Sequence, residues 1–324
     1  MTQASEHLGE SLGTDFFSVR EQFTDEQWAH FIAVRRFVDE EVVPAIGPYW
    51  ERAELCWPLI RRLPELGIVG EDISGYGCAA MSPMSCGLVT MELHRGDGSL
   101  GVVLGVHAGL AMQSIAMCGS AEQKARWLPD MARMTKLGAF ALTEPDHGSD
   151  SVALETSASP DGNGGWVLNG RKRWIGLGIV ADLIVVWARN TEDGQVNGFV
   201  LEKGSPDYQA RVIEGKVSLR AVWQADISLE NVRVPPENKL ADARSFRDTS
   251  GSSPPPGPRA PGRHSATLRL PMTRRCGMRW SDGSSASHWP VSRSSSSASS
   301  PCWRISPRCS CTACRSAGWP RPAG

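Results

Sequence analysis

Beyond Ser250 the sequence has no Phe, Tyr, Lys, Glu, Gln or Asn. Its last glutamate is Glu237, so residues 251–324 offer no Glu to act as a general base. A G-x-G-x-x-G run that follows a strand and opens a helix is also missing, which argues against a nicotinamide cofactor. The four cysteines before residue 251 (Cys56, Cys78, Cys86 and Cys118) have neither disulfide nor zinc spacing. The opening MTQASEHLGESLGTDFF lacks the basic and apolar segments of a secretory signal, so the expected location is cytoplasmic. Long uninterrupted apolar runs are absent too. The richest stretch, Leu100 to Cys118, is broken by Gly101, Gly105 and Gly109 and carries His107 and Gln113. It reads as a buried core helix, and no membrane association is expected.

The net charge of −1 averages two unlike regions. Residues 251–324 hold eleven Arg, no Lys and one acid, Asp282, for a net of +10. Residues 1–250 therefore carry −11, together with all eight Phe and all three Tyr. An acidic body gives no electrostatic case for nucleic-acid binding.

The body divides by periodicity. Through about residue 135 the apolar pattern is helical. Thr24-Asp-Glu-Gln27 is a capping box, Trp28, Phe31, Ile32, Val38 and Val42 follow at helical spacing, and Pro44 is expected to stop the run. Trp57 to Leu66 ends at Gly67, a natural C-cap. Met84 to Leu93 and Leu100 to Cys118 supply two more helices. Ser120-Ala-Glu-Gln123 opens another, with Trp127, Leu128 and Met131 inward.

Near Gly138 the period falls to two. Short strands are expected around 156–159, 165–168, 181–188, 198–202 and 226–232, with turns at Asp161–Gly165, Asn169-Gly170, Asp193-Gly194 and Asn197-Gly198. The predicted class is α+β: a helical domain over 1–136, a small antiparallel β-barrel or sandwich over 137–240, and a separate tail over 251–324.

Two segments can carry chemistry. Phe140-Ala-Leu-Thr-Glu-Pro-Asp-His-Gly-Ser-Asp150 is a strand end entering a polar turn, where Thr143, Gly148 and Ser149 offer hydroxyls and close-approach amides to an oxygen-rich ligand. Alone, such a turn is more often an ordinary loop. Leu168-Asn-Gly-Arg-Lys-Arg-Trp-Ile-Gly176 delivers Trp174, and a strand Trp is more often core than cofactor partner.

The two segments in this order, about 25 residues apart, resemble the flavin-binding signature of the acyl-CoA dehydrogenase and oxidase family, closest to its glutaryl-CoA dehydrogenase and short-chain acyl-CoA oxidase branch. Gly119-Ser-Ala-Glu-Gln-Lys, Trp127-Leu-Pro, Ala181-Asp-Leu, Gly198-Phe-Val-Leu-Glu-Lys203 and Gly215-Lys-Val-Ser-Leu-Arg220 extend the likeness over most of residues 15–250. It implies FAD wedged between a helical domain, a middle β domain and a C-terminal four-helix domain. Phe140, Leu142 and Thr143 would line the flavin, Gly148 and Ser149 would sit near the FAD diphosphate and the acyl-CoA, and Trp174 and Ile175 would pack on the isoalloxazine. Gly176 stands where the family usually has Thr, a feature shared with oxidases. His147 replaces a small residue and is expected to be exposed. Leu100-Gly101 stands where glutaryl-CoA dehydrogenases tend to carry Arg-Ser, which argues against a dicarboxylic substrate.

The implied reaction is α,β-desaturation of an acyl-CoA thioester, a Glu taking the α-proton while hydride passes to flavin N5. Electrons would go to electron-transfer flavoprotein or to oxygen, and the family is usually a homo-tetramer. The Glu normally lies in the C-terminal helical domain, so no catalytic base is assigned in this chain. Glu144 is read as part of the turn.

Residues 251–324, with 17 Ser, 11 Pro and 11 Arg, read at face value as a disordered basic tail. Cys309, Cys311 and Cys314 make a C-x-C-x-x-C, a metal signal with no packed shell around it. A sharper expectation is a reading-frame shift near Ser250. Moving the frame back one base lets Pro301-Cys-Trp-Arg-Ile-Ser read Met-Leu-Ala-Asp-Ile, and Ala317-Gly-Trp-Pro-Arg-Pro read Arg-Leu-Ala-Glu-Ala-Gly. These resemble helices of the family's C-terminal domain. The expected result is a chain that binds FAD poorly and does not turn over. The alternative from another class is a non-catalytic module with a nucleic-acid-binding tail.

Overall fold

The computed structural model describes residues 19–250. The tail expectations for 251–324 lie outside the described residues.

Helix α1 (Asp25–Phe37) opens on the foreseen box. Thr24 Oγ accepts the Gln27 N–H at 3.3 Å, and Gln27 Oε1 accepts the Thr24 N–H at 3.1 Å. Phe31, Val38 and Val42 are buried, whereas Ile32 is exposed. Pro44 does not stop the run. The backbone widens into a π-helical turn over Val38–Val42, the Val43 N–H reaches back to the Val38 carbonyl, and α2 (Val43–Arg52) follows with Pro44 in its first turn. The helix is unbroken through this junction, and the widened π turn is where the ladder accommodates a residue that has no N–H to donate.

Helix α3 (Trp57–Arg62) tightens into a 3-10 turn and ends at Gly67, which takes the left-handed conformation at φ 65°. Helix α4 (Pro83–Gly96) starts at Ser82, whose hydroxyl accepts the Ser85 N–H. Helix α5 (Gly98–Leu104), a π-helical stretch (Gly105–Met112) and α6 (Gln113–Cys118) form one continuous apolar rod. By length and composition this rod could cross a membrane, yet 67% of its most apolar window is buried in the protein. Its Val103, Ala108, Ala111, Met112 and Ile115 are core residues. Helix α7 (Ala121–Ala132) carries the second capping box and buries Trp127, Leu128 and Met131 as expected.

The sheet, among the described residues, has seven strands: β1 (Gly138–Ala141), β2 (Ser157–Pro160), β3 (Trp166–Gly176), β4 (Leu183–Asn190), β5 (Val196–Glu202), β6 (Tyr208–Val212) and β7 (Gln224–Val234). It is mixed, not antiparallel as predicted. Strand β4 pairs antiparallel with β5 on one edge and parallel with β1 and then β2 on the other. The order continues β2-β3-β7-β6. The reason is legible in Leu183-Ile-Val-Val-Trp-Ala: an unbroken apolar run suits a strand covered on both faces, not an alternating one.

Two predicted turns are strand interior. Asn169-Gly170 lies in β3 at a register shift against β7. Gly170 has φ 151°, and a Cβ there would meet Thr156 Cα at 2.7 Å. Asn197-Gly198 lies in β5, and a Cβ at Gly198 would sit 2.9 Å from Leu240 and 3.3 Å from Trp187. Both glycines mark close approach rather than reversal. Strand β6, with no strong apolar run, was not foreseen.

Helices and sheet share one core. Gly138 opens β1 so close to the rod and to α7 that a Cβ would meet Ala111 and Met131. His107, fully buried, spans the junction: Nδ1 accepts the Gly138 N–H at 2.8 Å and Nε2–H donates to Met131 O at 2.9 Å. Burial pushes its pKa down to about 4, so the ring is neutral in this tautomer. On the far side, Arg220 donates to Trp50 O and Glu51 O and lies over the Trp50 ring. Trp223 Nε1 donates to Ala53 O, and Ser99 Oγ accepts the Ala221 N–H.

Candidate functional site at the β1–β3 edge

Strand β1 ends at Ala141 and the chain leaves the sheet through Leu142 and Thr143. Phe140 packs obliquely on Trp187, ring centroids 6.2 Å apart. The Arg173 N–H donates to Thr143 O at 2.9 Å, which brings the second segment alongside the first. Both segments singled out in the sequence therefore meet at one edge.

Strand β3 is irregular there. Its register against β7 shifts between Lys172 and Ile175, and Trp174 adopts φ 62°. A bulky residue in the left-handed region is a strained exception, of a kind that clusters at ligand sites. The outcome is a Trp174 ring 51% exposed, with the Arg173 guanidinium 5.4 Å from its centroid. Ile175 is buried in the core, so its side chain does not reach the surface. Gly176 is buried as well, and a Cβ there would lie 2.9 Å from Val106 Cγ2. Val106, on the π-helical stretch, takes the space a side chain at 176 would need.

Phe140, Leu142 and Thr143 are partly exposed, and Gly148 and Ser149 are exposed on the outward part of the 144–156 turn. Nothing lies within 4 Å of a Cβ built on Gly148. His147 is less open than expected: its side chain is 19% exposed and Nε2 lies 3.5 Å from Glu155 Oε1.

Beneath the turn lies a buried ion pair. Lys172 Nζ donates to Glu144 Oε1 at 2.8 Å and to Leu142 O at 3.0 Å, with the Lys172 side chain fully enclosed. The Glu144 carboxylate also accepts the N–H groups of Glu155 (2.7 Å) and Thr156 (2.9 Å). Burial pushes this carboxyl up, but the Lys172 charge and the amide donors outweigh it and hold the group below the usual carboxylate range. Glu144 is thus an ionised brace, in keeping with its reading as part of the turn. At the far end Arg189 donates to Val152 O, Leu154 O and Gly194 O. Sequence reasoning missed Lys172 and Arg189. The signal for Lys172 was available, since alternation in Arg171-Lys-Arg173 sets it on the face opposite its neighbours.

The edge thus offers an exposed aromatic plane, a free-standing loop with a hydroxyl and a glycine, and backbone at a strand end. That set fits a planar ring carrying a polyoxygenated tail, as a flavin dinucleotide does.

The chain is similar to proteins of one family along most of its described length. The family model described as Acyl-CoA dehydrogenase, N-terminal domain, matches residues 24–135, and Acyl-CoA dehydrogenase, middle domain, matches 139–232. The chain is 33% identical over 221 residues to the acyl-CoA dehydrogenase of Bacillus subtilis (strain 168), covering 67% of this chain and 58% of that one. It is 31% identical over 215 residues to the mitochondrial short-chain specific acyl-CoA dehydrogenase of Rattus norvegicus, covering 64% and 51%. The fold resembles the crystal structure of a glutaryl-CoA dehydrogenase from Mycobacterium smegmatis in complex with FADH2, with a TM-score of 0.70, 36% identity, and coverage of 72% and 60%. The chain spans about half the length of the curated relatives it matches. With both domain models matched in order across the described helices and sheet, this chain belongs to the acyl-CoA dehydrogenase family.

Proposed function

We propose that this edge is the flavin and acyl-CoA cradle of an FAD-dependent acyl-CoA dehydrogenase. The observation that carries the reading is the pairing of an exposed, left-handed Trp174 with the Thr143 turn. Phe140, Leu142 and Thr143 would border the ring system, Trp174 would cover it, and the Gly148-Ser149 amides and hydroxyl would face the diphosphate and the thioester substrate. When bound, FAD supplies the hydride acceptor for desaturation. This chain's own part is orientation, hydrogen bonding and exclusion of water from one side. Titration of the full chain with FAD at concentrations high enough for weak binding tests the reading: FAD quenches tryptophan fluorescence, Trp174→Ala removes most of that quenching, and equal quenching in the two chains refutes it.

The fully competent enzyme also needs a carboxylate over the substrate, and we propose that residues 251–324 are an out-of-frame translation of the segment that would carry it. Codon arithmetic supports this. With the frame moved back one base, every Cys and Trp codon contributes TG to a triplet ending in TG, which encodes Leu, Met or Val. Nine scattered Cys and Trp residues thereby become aliphatic, including pairs at helical spacing (276 and 280; 311 and 314). The code forces leucine in place of Trp289 and Trp303, and aspartate in place of Thr273. A helical turn (Phe246–Ser250) forms just before the change, with Asp248 Oδ2 accepting the N–H groups of Arg244 and Ser245. The nucleotide sequence from the Ser250 codon onward decides the matter: a one-base change either restores an open helical frame or does not.

An oxidase reading has one specific observation in its favour, the absence of a side chain at Gly176. Electrons would then pass to oxygen rather than to electron-transfer flavoprotein. Peroxide release by a frame-restored chain distinguishes the two.

A further inference from the structure

We propose that Lys172 is the positioning residue of the flavin edge: from inside the sheet it fixes the Leu142–Thr156 turn in its ligand-ready shape. The inference deepens the flavin reading above and takes its ligand from it.

The turn has few supports of its own. Pro145, Asp146, Gly148, Ser149 and Asp150 are exposed, and the hydrogen bond from Glu144 N–H to His147 O is local. Its fixed points lie at its two roots. At the near root, the Lys172 ammonium bonds both Leu142 O and the Glu144 carboxylate, and that carboxylate gathers the amides of Glu155 and Thr156. One buried cation thus ties the outgoing strand of the turn to its returning strand. Neighbouring backbone repeats the message, because Arg173 N–H bonds Thr143 O and Thr156 packs over Gly170, one pleat from Lys172. At the far root, Arg189 grips Val152 O and Leu154 O.

A cation with no exposed surface cannot meet the ligand itself, so its action runs through the backbone it holds. Fixing Leu142 O fixes the peptide plane that leads into Thr143, and through it the direction of the Thr143 hydroxyl. The adjoining bulge sets Trp174 outward on the same strand. Two apolar groups in place of the ion pair would preserve volume and leave the peptide planes free to rotate. Ordering of the turn is therefore assigned to the polar pair and not to packing.

The test uses the full chain and compares wild type, Glu144→Gln and the double variant Lys172→Met/Glu144→Gln, which removes both charges together and leaves no uncompensated ion. Amide exchange by mass spectrometry is read on peptides covering 142–156 and, as internal control, on β4. FAD affinity is measured by equilibrium dialysis. The expected result is exchange at least tenfold faster across 142–156 in the double variant, protection of β4 unchanged, and FAD affinity reduced at least tenfold. Unchanged exchange across 142–156 overturns the proposal. A merely structural role would raise exchange in both regions together, and that result also overturns it. If wild type binds no FAD while the exchange pattern is as expected, the flavin reading fails and the assignment of Lys172 to the turn stands.

Discussion

The helical half and the β1–β3 edge of the sheet are held by different kinds of contact. In the helices, caps such as Thr24 and Ser120 satisfy the ends, and most of the stability comes from packed apolar side chains such as Met112, Ile115 and Leu128, with the buried Glu92 and its Arg35 and Arg95 partners as the polar exception. At the sheet edge, irregular backbone is held by the buried Lys172 and Glu144 and by the partly exposed Arg189 fork. Apolar packing tolerates sliding and repacking, whereas a hydrogen-bonded charge fixes a peptide plane. The molecule uses the second device at the edge we propose as the flavin cradle.

The sharpest way to break this contrast is Lys172→Met. It strands the Glu144 carboxylate in the interior and should cost about 3–5 kcal/mol in urea unfolding; a loss within experimental error would show that the pair braces nothing. In the helical half, Met112→Ala removes volume from the rod and should cost about 2–5 kcal/mol, with no change in the pH dependence of stability. Gly170→Ala drives a methyl against Thr156 at an unfavourable φ and should cost about 1–3 kcal/mol. Its effect should fall on exchange of the 144–156 turn before that of β4.

Acid titration separates the regions further. His107 binds its proton less readily folded than unfolded, so its contribution is intact near neutral pH and declines as pH falls from about 6.5 to about 4. Glu144, held below its ordinary value, contributes above that value and loses its contribution only as pH falls further. Thermal melts of wild type and Glu144→Gln should therefore run parallel down to about pH 4.5 and converge below it. The smallest effect is Thr24→Ala, about 1 kcal/mol from the lost cap, with the sheet edge untouched.

Much of this was readable in the sequence. Both capping boxes, the Gly67 stop and the inward face of α7 follow from local chemistry, whereas the pairing of the Thr143 and Trp174 segments was implied by the family resemblance. What was not readable was long-range. Pro44 was misjudged because the π turn that ends two residues earlier, at Val42, lets the helix continue past it. Asn169-Gly170 and Asn197-Gly198 looked like reversals because a glycine that admits a distant neighbour has the same local signature as one that turns. The parallel pairings of β4 depend on partners more than forty residues away in the case of β1. Lys172 is a mixed case: strand alternation sets it opposite Arg171 and Arg173, but the carboxylate it meets, Glu144, lies 28 residues earlier.

The central claim is a flavin cradle whose acid–base half is written out of frame. It is tested most directly by loading the purified full chain with FAD and adding butyryl-CoA without oxygen, while following the flavin absorbance. The account predicts that the oxidised flavin spectrum persists. Bleaching by the substrate would contradict it, since no residue of the proposed cradle is assigned to take the α-proton.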